Sequence, residues 1–294
     1  MKLVRSPDEL GPGRRSVAIG TFDGVHLGHR RVLEATRAAD EPTSTVVTFD
    51  PHPRTALGNR VELLTTPERR LELLADAGLD EALVIEFDLE FAQTTAEEFA
   101  ERYLRGIGAE VVVAGEGFRF GHRRAGDLAL LESLGFDVRT VPVVEGVSSS
   151  AIRALVKAGE VERAAALLGR PVEIEGVVVS GDARGGTLGF PTANLRVERD
   201  LLVPAHGIYA GAALGTRAAT SVGVNPHYGG VEQRVETFLL DYEGDLYGHR
   251  LIVELWRRLR DERSFEGEAE LVAQIARDVE ETRAAQRPFY AAKP

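Results

Sequence analysis

Ser16-Val17-Ala18-Ile19-Gly20-Thr21-Phe22-Asp23-Gly24-Val25-His26-Leu27-Gly28-His29 decides how this chain is read. Its first five residues predict a buried strand, and Arg30–Ala39 continues with a helical pattern. Gly24 and Gly28 let main chain approach a ligand closely. In an open parallel sheet, ligands bind beyond the strand ends, where free N–H groups at helix starts attract phosphate. His26 and His29 can donate hydrogen bonds to phosphate oxygens, or to charge that develops during transfer. A histidine pair near a turn is, alone, more readily read as a surface pair. Its place after a strand and inside Gly-x-Phe-Asp-Gly-x-His-x-Gly-His favours the phosphate reading.

Working outward, the first half alternates strand-like and helical runs. Ser16–Gly20, Thr45–Phe49, Ala82–Phe87, Glu110–Ala114 and Asp137–Val144 are predicted strands. Arg30–Ala39, Pro67–Ala77 and Ala96–Arg105 are predicted helices between them. Such alternation predicts a doubly wound parallel sheet, an α/β domain. Continuous apolar runs such as Val111-Val112-Val113 fit strands covered on both faces.

Two short helices are predicted at Ser149–Ala158 and Val161–Leu168, and the domain boundary is placed after Leu168, giving residues 1–168 and 169–294. Beyond it the texture changes. Val172–Ser180, Gly207–Leu214, Thr220–Val224, Arg234–Tyr242 and His249–Leu259 are closely spaced strand runs with Gly-rich turns. They predict a small antiparallel β-barrel. Leu271, Ile275 and Val279 recur every fourth residue and predict an amphipathic C-terminal helix on that barrel.

Composition narrows the function. The chain has 294 residues, enough for two domains with real cores. A net charge of −11 argues against nonspecific nucleic-acid binding, which needs a basic face. It leaves ATP open as a ligand, since phosphate sites use local amides and few cations. No apolar run reaches the length of a membrane span, and the amino terminus lacks the apolar core of a signal peptide. There are 0 cysteines, so disulfides and thiolate metal sites are excluded, and a cytoplasmic location is expected. The composition leaves the oligomeric state open.

A second candidate site lies past the middle. Gly176–Gly181 leads through Arg184-Gly185-Gly186 to Gly189-Phe190-Pro191-Thr192-Ala193-Asn194. Small residues let backbone amides surround a phosphate. The Thr192 hydroxyl and Asn194 carbonyl are hard oxygen ligands suited to nucleotide-bound Mg²⁺. Pro-Thr-Ala-Asn alone also reads as an ordinary Pro-initiated turn.

The first motif resembles the HxGH nucleotidyltransferases, and its longer form resembles the adenylyltransferase module of prokaryotic bifunctional riboflavin kinase/FAD synthetases. Thr48-Phe49-Asp50-Pro51-His52-Pro53 and Val147-Ser148-Ser149-Ser150-Ala151-Ile152-Arg153 are similar to two further segments of that family. Gly115-Glu116-Gly117-Phe118-Arg119-Phe120-Gly121, followed by His122-Arg123-Arg124, resembles a third. It departs at Gly117, where the family usually carries an amide or acid. Its spacing, GxGxxxG after the fourth predicted strand, is not that of a dinucleotide fingerprint. The Gly-Phe-Pro-Thr-Ala-Asn segment resembles the riboflavin kinase motif of the same family. Pro204–Ala210, Ser221–His227, Val235–Asp241, Tyr247-Gly248 and Arg260–Phe265 are similar to its later landmarks, with His227 where threonine is usual.

The resemblance implies a bifunctional enzyme of FAD biosynthesis. Riboflavin and ATP would give FMN in the second domain, and FMN and ATP would give FAD and pyrophosphate in the first, both with Mg²⁺. It implies His26, His29, Glu236 and Asn194 as catalytic residues, with Glu236 the general base for the ribityl hydroxyl. It implies ATP contacts at Gly20, Phe22, Asp23, Gly24, His26, Gly28, His29, Ser149, Ser150 and Arg153. In the kinase half the implied ATP contacts are Gly181, Gly189, Thr192 and Asn194, with Thr192 and Asn194 also holding the metal. Phe49, Phe120 and Tyr228 are aromatic candidates for the isoalloxazine ring, and each also reads as core packing. The partners expected are small molecules, with no nucleic acid and no membrane. Alternative readings are a kinase whose adenylyltransferase half is impaired at Gly117, and a flavin-binding regulatory protein without turnover. Retention of Thr192, Asn194 and Glu236 argues against the second. A pantetheine-phosphate-type adenylyltransferase would lack the Pro-Thr-Ala-Asn half.

Overall fold

The computed structural model describes residues 1–39, 41–180, 190–227, 230–288 and 290, with backbone alone at 225–227 and 230–233. The expected ATP contacts Gly181 and Gly189 and the flavin candidate Tyr228 lie outside the described residues.

The first strands are β1 (Lys2–Val4), β2 (Arg15–Ile19), β3 (Thr43–Asp50), β4 (Glu81–Glu86), β5 (Ala109–Gly115) and β6 (Asp137–Val141). They form one six-stranded sheet in the order β1-β4-β3-β2-β5-β6, with every pairing parallel. Helices α1 (Leu27–Arg37), α2 (Pro53–Ala56), α3 (Pro67–Asp76), α4 (Ala96–Phe99) and α5 (Leu128–Ser133) connect the strands. Successive strand residues serve opposite faces. Val17 and Ile19 join one core cluster and Ala18 the other. On β5, Val112 goes to the first cluster, and Val111 and Val113 to the second. The doubly covered parallel sheet is therefore as expected.

Three local features differ from expectation. Strand β1 adds an edge to β4 through a three-residue pairing too short to show a period. Helix α5, six residues long, was also not anticipated. The predicted helix Ala96–Arg105 starts on a Thr95–Glu98 capping box but runs from α4 into a π-helical turn over Ala100–Leu104. Phe99, Ala100, Tyr103 and Leu104 all reach the core there.

The remaining strands are β7 (Val172–Val179), β8 (Ala193–Val197), β9 (Gly207–Ala213), β10 (Thr216–His227), β11 (Gly230–Leu239) and β12 (Arg250–Arg260). They close into an antiparallel barrel ordered β10-β11-β8-β7-β12-β9. Closure removes free edges. The expected barrel thus gains β8, which carries Asn194. Its polar residues hide the strand from local pattern, and pairing with β7 and β11 supplies it.

Helices α6 (Ser149–Lys157) and α7 (Val161–Leu168) follow the predicted ranges closely. Contacts divide the chain into Met1–Val61 with Pro67–Ser148, and Glu62–Thr66 with Ser149–Pro294. This break differs from the one expected after Leu168. Ile152, Val156, Val161, Ala164 and Leu168 share one buried cluster with Val172, Tyr209 and Leu255 of the barrel.

The C-terminal helix α8 (Glu268–Ala284) forms as predicted, but its buried face is not the expected stripe alone. Val279 is buried, whereas Leu271 and Ile275 are only partly so. Gln274, Asp278 and Thr282 are buried beside them. The reason is an ionic seat. Arg260 on β12 forks onto the Asp278 carboxylate at 2.7 and 2.9 Å, and Gln274 donates to it at 2.8 Å.

Candidate functional sites

In the first unit, β2 ends at Ile19, and from Gly20 the chain turns sharply into α1. Phe22 has φ 50° and Val25 φ 38°, in a left-handed region that side chains rarely adopt. Both are held there by burial, at 2% and 1% exposure. Gly24, at φ 80°, takes the same region without strain. Backbone in such conformations concentrates at functional sites.

His26 is the N-cap of α1. Its Nδ1 accepts the His29 backbone N–H at 3.2 Å. A neutral ring accepting at Nδ1 carries its proton on Nε2, so it presents a donor. The His29 ring stacks on it with centroids 3.5 Å apart and planes inclined by 15°. Gly28 leaves room for this arrangement, because a Cβ there would press on His26 Cε1 at 3.2 Å. The Phe22 and His29 rings meet edge to face, with centroids 5.2 Å apart. Asp23 is buried within the same turn. Gly20, Phe22, Asp23, Gly24, His26, Gly28 and His29 are thus brought together at the carboxyl end of β2.

Arg70 on α3 was not singled out from the sequence. It is 4% exposed, and its guanidinium donates to Thr21 O at 3.2 Å and to Phe49 O at 2.9 Å. It ties the turn after β2 to the end of β3. Burial pulls its pKa below the usual arginine value, and Asp50 and Asp23 act in the opposite direction. One of two adjacent arginines in a charged helix offers no sequence signal for this role.

Phe49 and Phe120 belong to an aromatic cluster. Phe49 is partly buried and lies 5.6 Å from Phe87 and 6.0 Å from Phe91. Phe120 is buried, stacked on Phe118 at 5.6 Å. Gly117 is exposed, and a Cβ built there would meet nothing within 4 Å. Ser149, Ser150 and Arg153 stand in the first two turns of α6 and belong to the second unit. Arg153 Nε donates to Glu62 O of that unit at 2.7 Å.

In the barrel, strand register assembles the second candidate site. Glu236 on β11 lies opposite Asn194 on β8 and opposite Ser221 on β10. Directly opposed residues in an antiparallel pair share a face. Val235 and Thr237, which alternate with Glu236, are buried at 1% and 0%. Asn194, Glu236 and Ser221 therefore lie on the other face of the wall. Thr192 precedes β8 by one residue and has the parity of Asn194. Arg234, two residues before Glu236, pairs with its Oε1 at 2.6 Å. The carboxylate of Glu262 lies over Gly223, which is opposite Arg234. Glu262 also lines a cleft of about 810 Å³ together with His206, Arg258 and Asp261. Neither Arg234 nor Glu262 was foreseen as a site residue: Arg234 and Glu236 are two apart on one strand, but the groups that share their face are set by pairing with β8 and β10.

Residues 11–152 match the FAD synthetase family, and residues 168–286 match the riboflavin kinase family. The chain is 35% identical over 296 residues to the bifunctional riboflavin kinase/FMN adenylyltransferase of Listeria monocytogenes, covering 94% of each. It is 36% identical over 300 residues to the protein of that name from Escherichia coli K12, covering 95% of this chain and 96% of that one. A crystal structure described as a macrolide-efflux protein from Streptococcus pneumoniae matches with TM-score 0.86 and 33% identity, over 97% of this chain and 99% of that one. Among the described residues here, no helix is long and apolar enough to cross a membrane.

Proposed function

This chain belongs to the bifunctional riboflavin kinase/FMN adenylyltransferase family, and from that premise we propose how its residues divide two consecutive reactions. It phosphorylates riboflavin with ATP to give FMN and ADP, and adenylylates FMN with ATP to give FAD and pyrophosphate.

The adenylyl transfer is assigned to the turn at the end of β2. His26, with its donor at Nε2, and His29 stacked on it stabilise charge that builds on the α-phosphate as FMN attacks. The start of α1 and the main chain of Gly20–Gly24 add fixed N–H dipoles. For Ser149, Ser150 and Arg153 of the second unit, the family motif alone supports a role in contacting ATP phosphates. Phe49, which keeps part of its ring exposed, is the better placed aromatic for the isoalloxazine ring, since Phe120 is enclosed in the core.

The phosphoryl transfer is assigned to the face that carries Asn194 and Glu236. Glu236 accepts the proton of the ribityl hydroxyl. Thr192 and Asn194 offer two neutral oxygens, a donor set that suits a divalent cation arriving on the nucleotide phosphates. Mg²⁺ bound there supplies charge neutralisation of the phosphate oxygens. The observation that carries this division is the register match of Asn194 with Glu236. It sets Asn194 beside Glu236 from distant segments of the chain, which supports reading them as a metal-nucleotide ligand and a base. A cytoplasmic location is proposed with it, because both reactions consume ATP.

The test is direct. Pure protein is incubated with riboflavin, ATP and Mg²⁺, and flavins are separated by chromatography over time. FMN rising before FAD, with both lost on chelation of the metal, supports the reading. Riboflavin left unchanged would contradict it.

A further inference from the structure

We propose that Arg234 is a further catalytic residue of the kinase half: its guanidinium, paired with Glu236, passes to the transferring phosphoryl group as Glu236 takes up the ribityl proton. The inference rests on the reading of Glu236 as the base.

The placement follows from strand geometry. Residues 234 and 236 of β11 leave the same face of the wall, since Val235 between them is buried. Asn194 and Ser221 flank Glu236 from the two neighbouring strands. The residue across from Arg234 is Gly223, which has no side chain, and the Glu262 carboxylate occupies that space. Arg234 thus stands between two carboxylates, 2.6 Å from Glu236 Oε1, with side-chain exposures of 34% and 25% for the pair. A guanidinium in this position reaches the same region as the base that must touch the ribityl hydroxyl.

The chemistry asks for such a group. The ribityl oxygen forms a bond to the γ-phosphorus of ATP. The bond from that phosphorus to the β–γ bridging oxygen breaks, and its electron pair leaves with ADP. The hydroxyl proton goes to the Glu236 carboxylate. That carboxylate becomes neutral at the moment when the phosphoryl oxygens and the leaving oxygen carry most charge. A neutral carboxyl holds a guanidinium less strongly than a carboxylate does. The cation, still flanked by the Glu262 carboxylate, can then turn N–H donors from Glu236 to the phosphoryl oxygens. The planar fork of arginine matches two such oxygens, which a lysine ammonium cannot do.

The full chain is tested as Arg234→Gln, Arg234→Lys and Arg234→Ala, with Glu236→Gln alongside. Steady-state kinetics are measured for each half reaction, and thermal melts monitor folding. Kinase kcat should fall about 100-fold in Arg234→Gln and by less in Arg234→Lys. The riboflavin KM should change less than about threefold, because the contact is made in the transition state. Adenylylation of supplied FMN should be unaffected. Guanidinium ion should restore part of the kinase rate of Arg234→Ala, and urea should not. Wild-type kcat in Arg234→Gln would reduce the pair to a surface contact and overturn the proposal. A loss confined to riboflavin KM, or equal rescue by urea, would overturn it too. If Glu236→Gln keeps full kinase activity, the base assignment itself fails and the proposal falls with it. An inactive Glu236→Gln beside an active Arg234→Gln sinks the Arg234 role alone.

Discussion

His26 caps the helix whose third residue, His29, stacks on it. One imidazole accepts the other residue's backbone N–H at 3.2 Å, and the two rings lie 3.5 Å apart. The pair is one unit in structure. Its members are not equivalent, because only His26 serves the helix through its side chain cap.

His29→Ala is therefore expected to abolish most adenylylation without loosening α1. His26→Ala should lose adenylylation and also about 1 kcal/mol of stability through the lost cap. His26→Asn restores a good cap and should recover that stability but not the activity. Loss of one such donor costs about 10²–10³-fold in rate. FMN should accumulate in all three variants, since riboflavin phosphorylation is proposed for the barrel instead. Chromatography of flavins and thermal melts check both parts, and undiminished FAD synthesis in the double alanine variant would refute the assignment.

Asn194→Ala and Glu236→Gln should reverse the pattern. Each removes a group from the face proposed for the kinase, with an expected cost of about 10²–10⁴-fold in FMN formation. Adenylylation of supplied FMN should survive both. FMN production near the wild-type rate in either variant would show that the kinase site lies elsewhere. An equal collapse of both activities would point to misfolding.

Gly117→Asn tests the departure noted in the third motif. The position is exposed, nothing lies within 4 Å of a Cβ placed there, and no left-handed φ requires glycine. The substitution should fold normally. A neutral hydrogen bond to the nucleotide would strengthen ATP binding a few-fold to about tenfold. The ATP requirement of the second step should drop while that of the first stays constant. An unchanged or poorer second step would show that the adenylyltransferase gains nothing from a polar side chain at 117.

Asp80 gives a pH test of the first unit. The Ser44 hydroxyl at 2.6 Å and the Ser44 backbone N–H at 2.8 Å hold the Asp80 carboxyl below its usual pKa of 3.8. The ionised form is the one favoured by folding. Its contribution is full above the unfolded value and fades as pH falls through the lower folded value. Asp80→Asn should therefore melt below wild type at neutral pH, and the gap should close below about pH 3.8. A gap that persists at lower pH would show that the hydrogen-bond geometry, rather than the charge, is what stabilises.

Local pattern determined much of this protein. Alternating apolar runs and helical periods set the parallel sheet, since Val111–Val113 and Thr45–Phe49 can only be buried on both sides. The turn after Gly20 and the helix from Val161 to Leu168 were also legible, because both depend on neighbours in sequence, although α1 begins at Leu27 rather than at the expected Arg30. Strand β8 was not, because Asn194 becomes a strand residue only through pairing with Val179 and Glu236. The pairing of Arg234 with Glu236 could be read as spacing, but the face they share with Asn194 and Ser221 could not. The polar seat of Gln274 and Asp278 under Arg260 overrode the expected apolar stripe for the same reason. Hydrophobic period records which side of an element is buried. It carries no record of which distant strand closes a barrel, or of which charge a buried carboxylate meets. Those were decided by hydrogen-bond register and ion pairing between segments far apart in the chain.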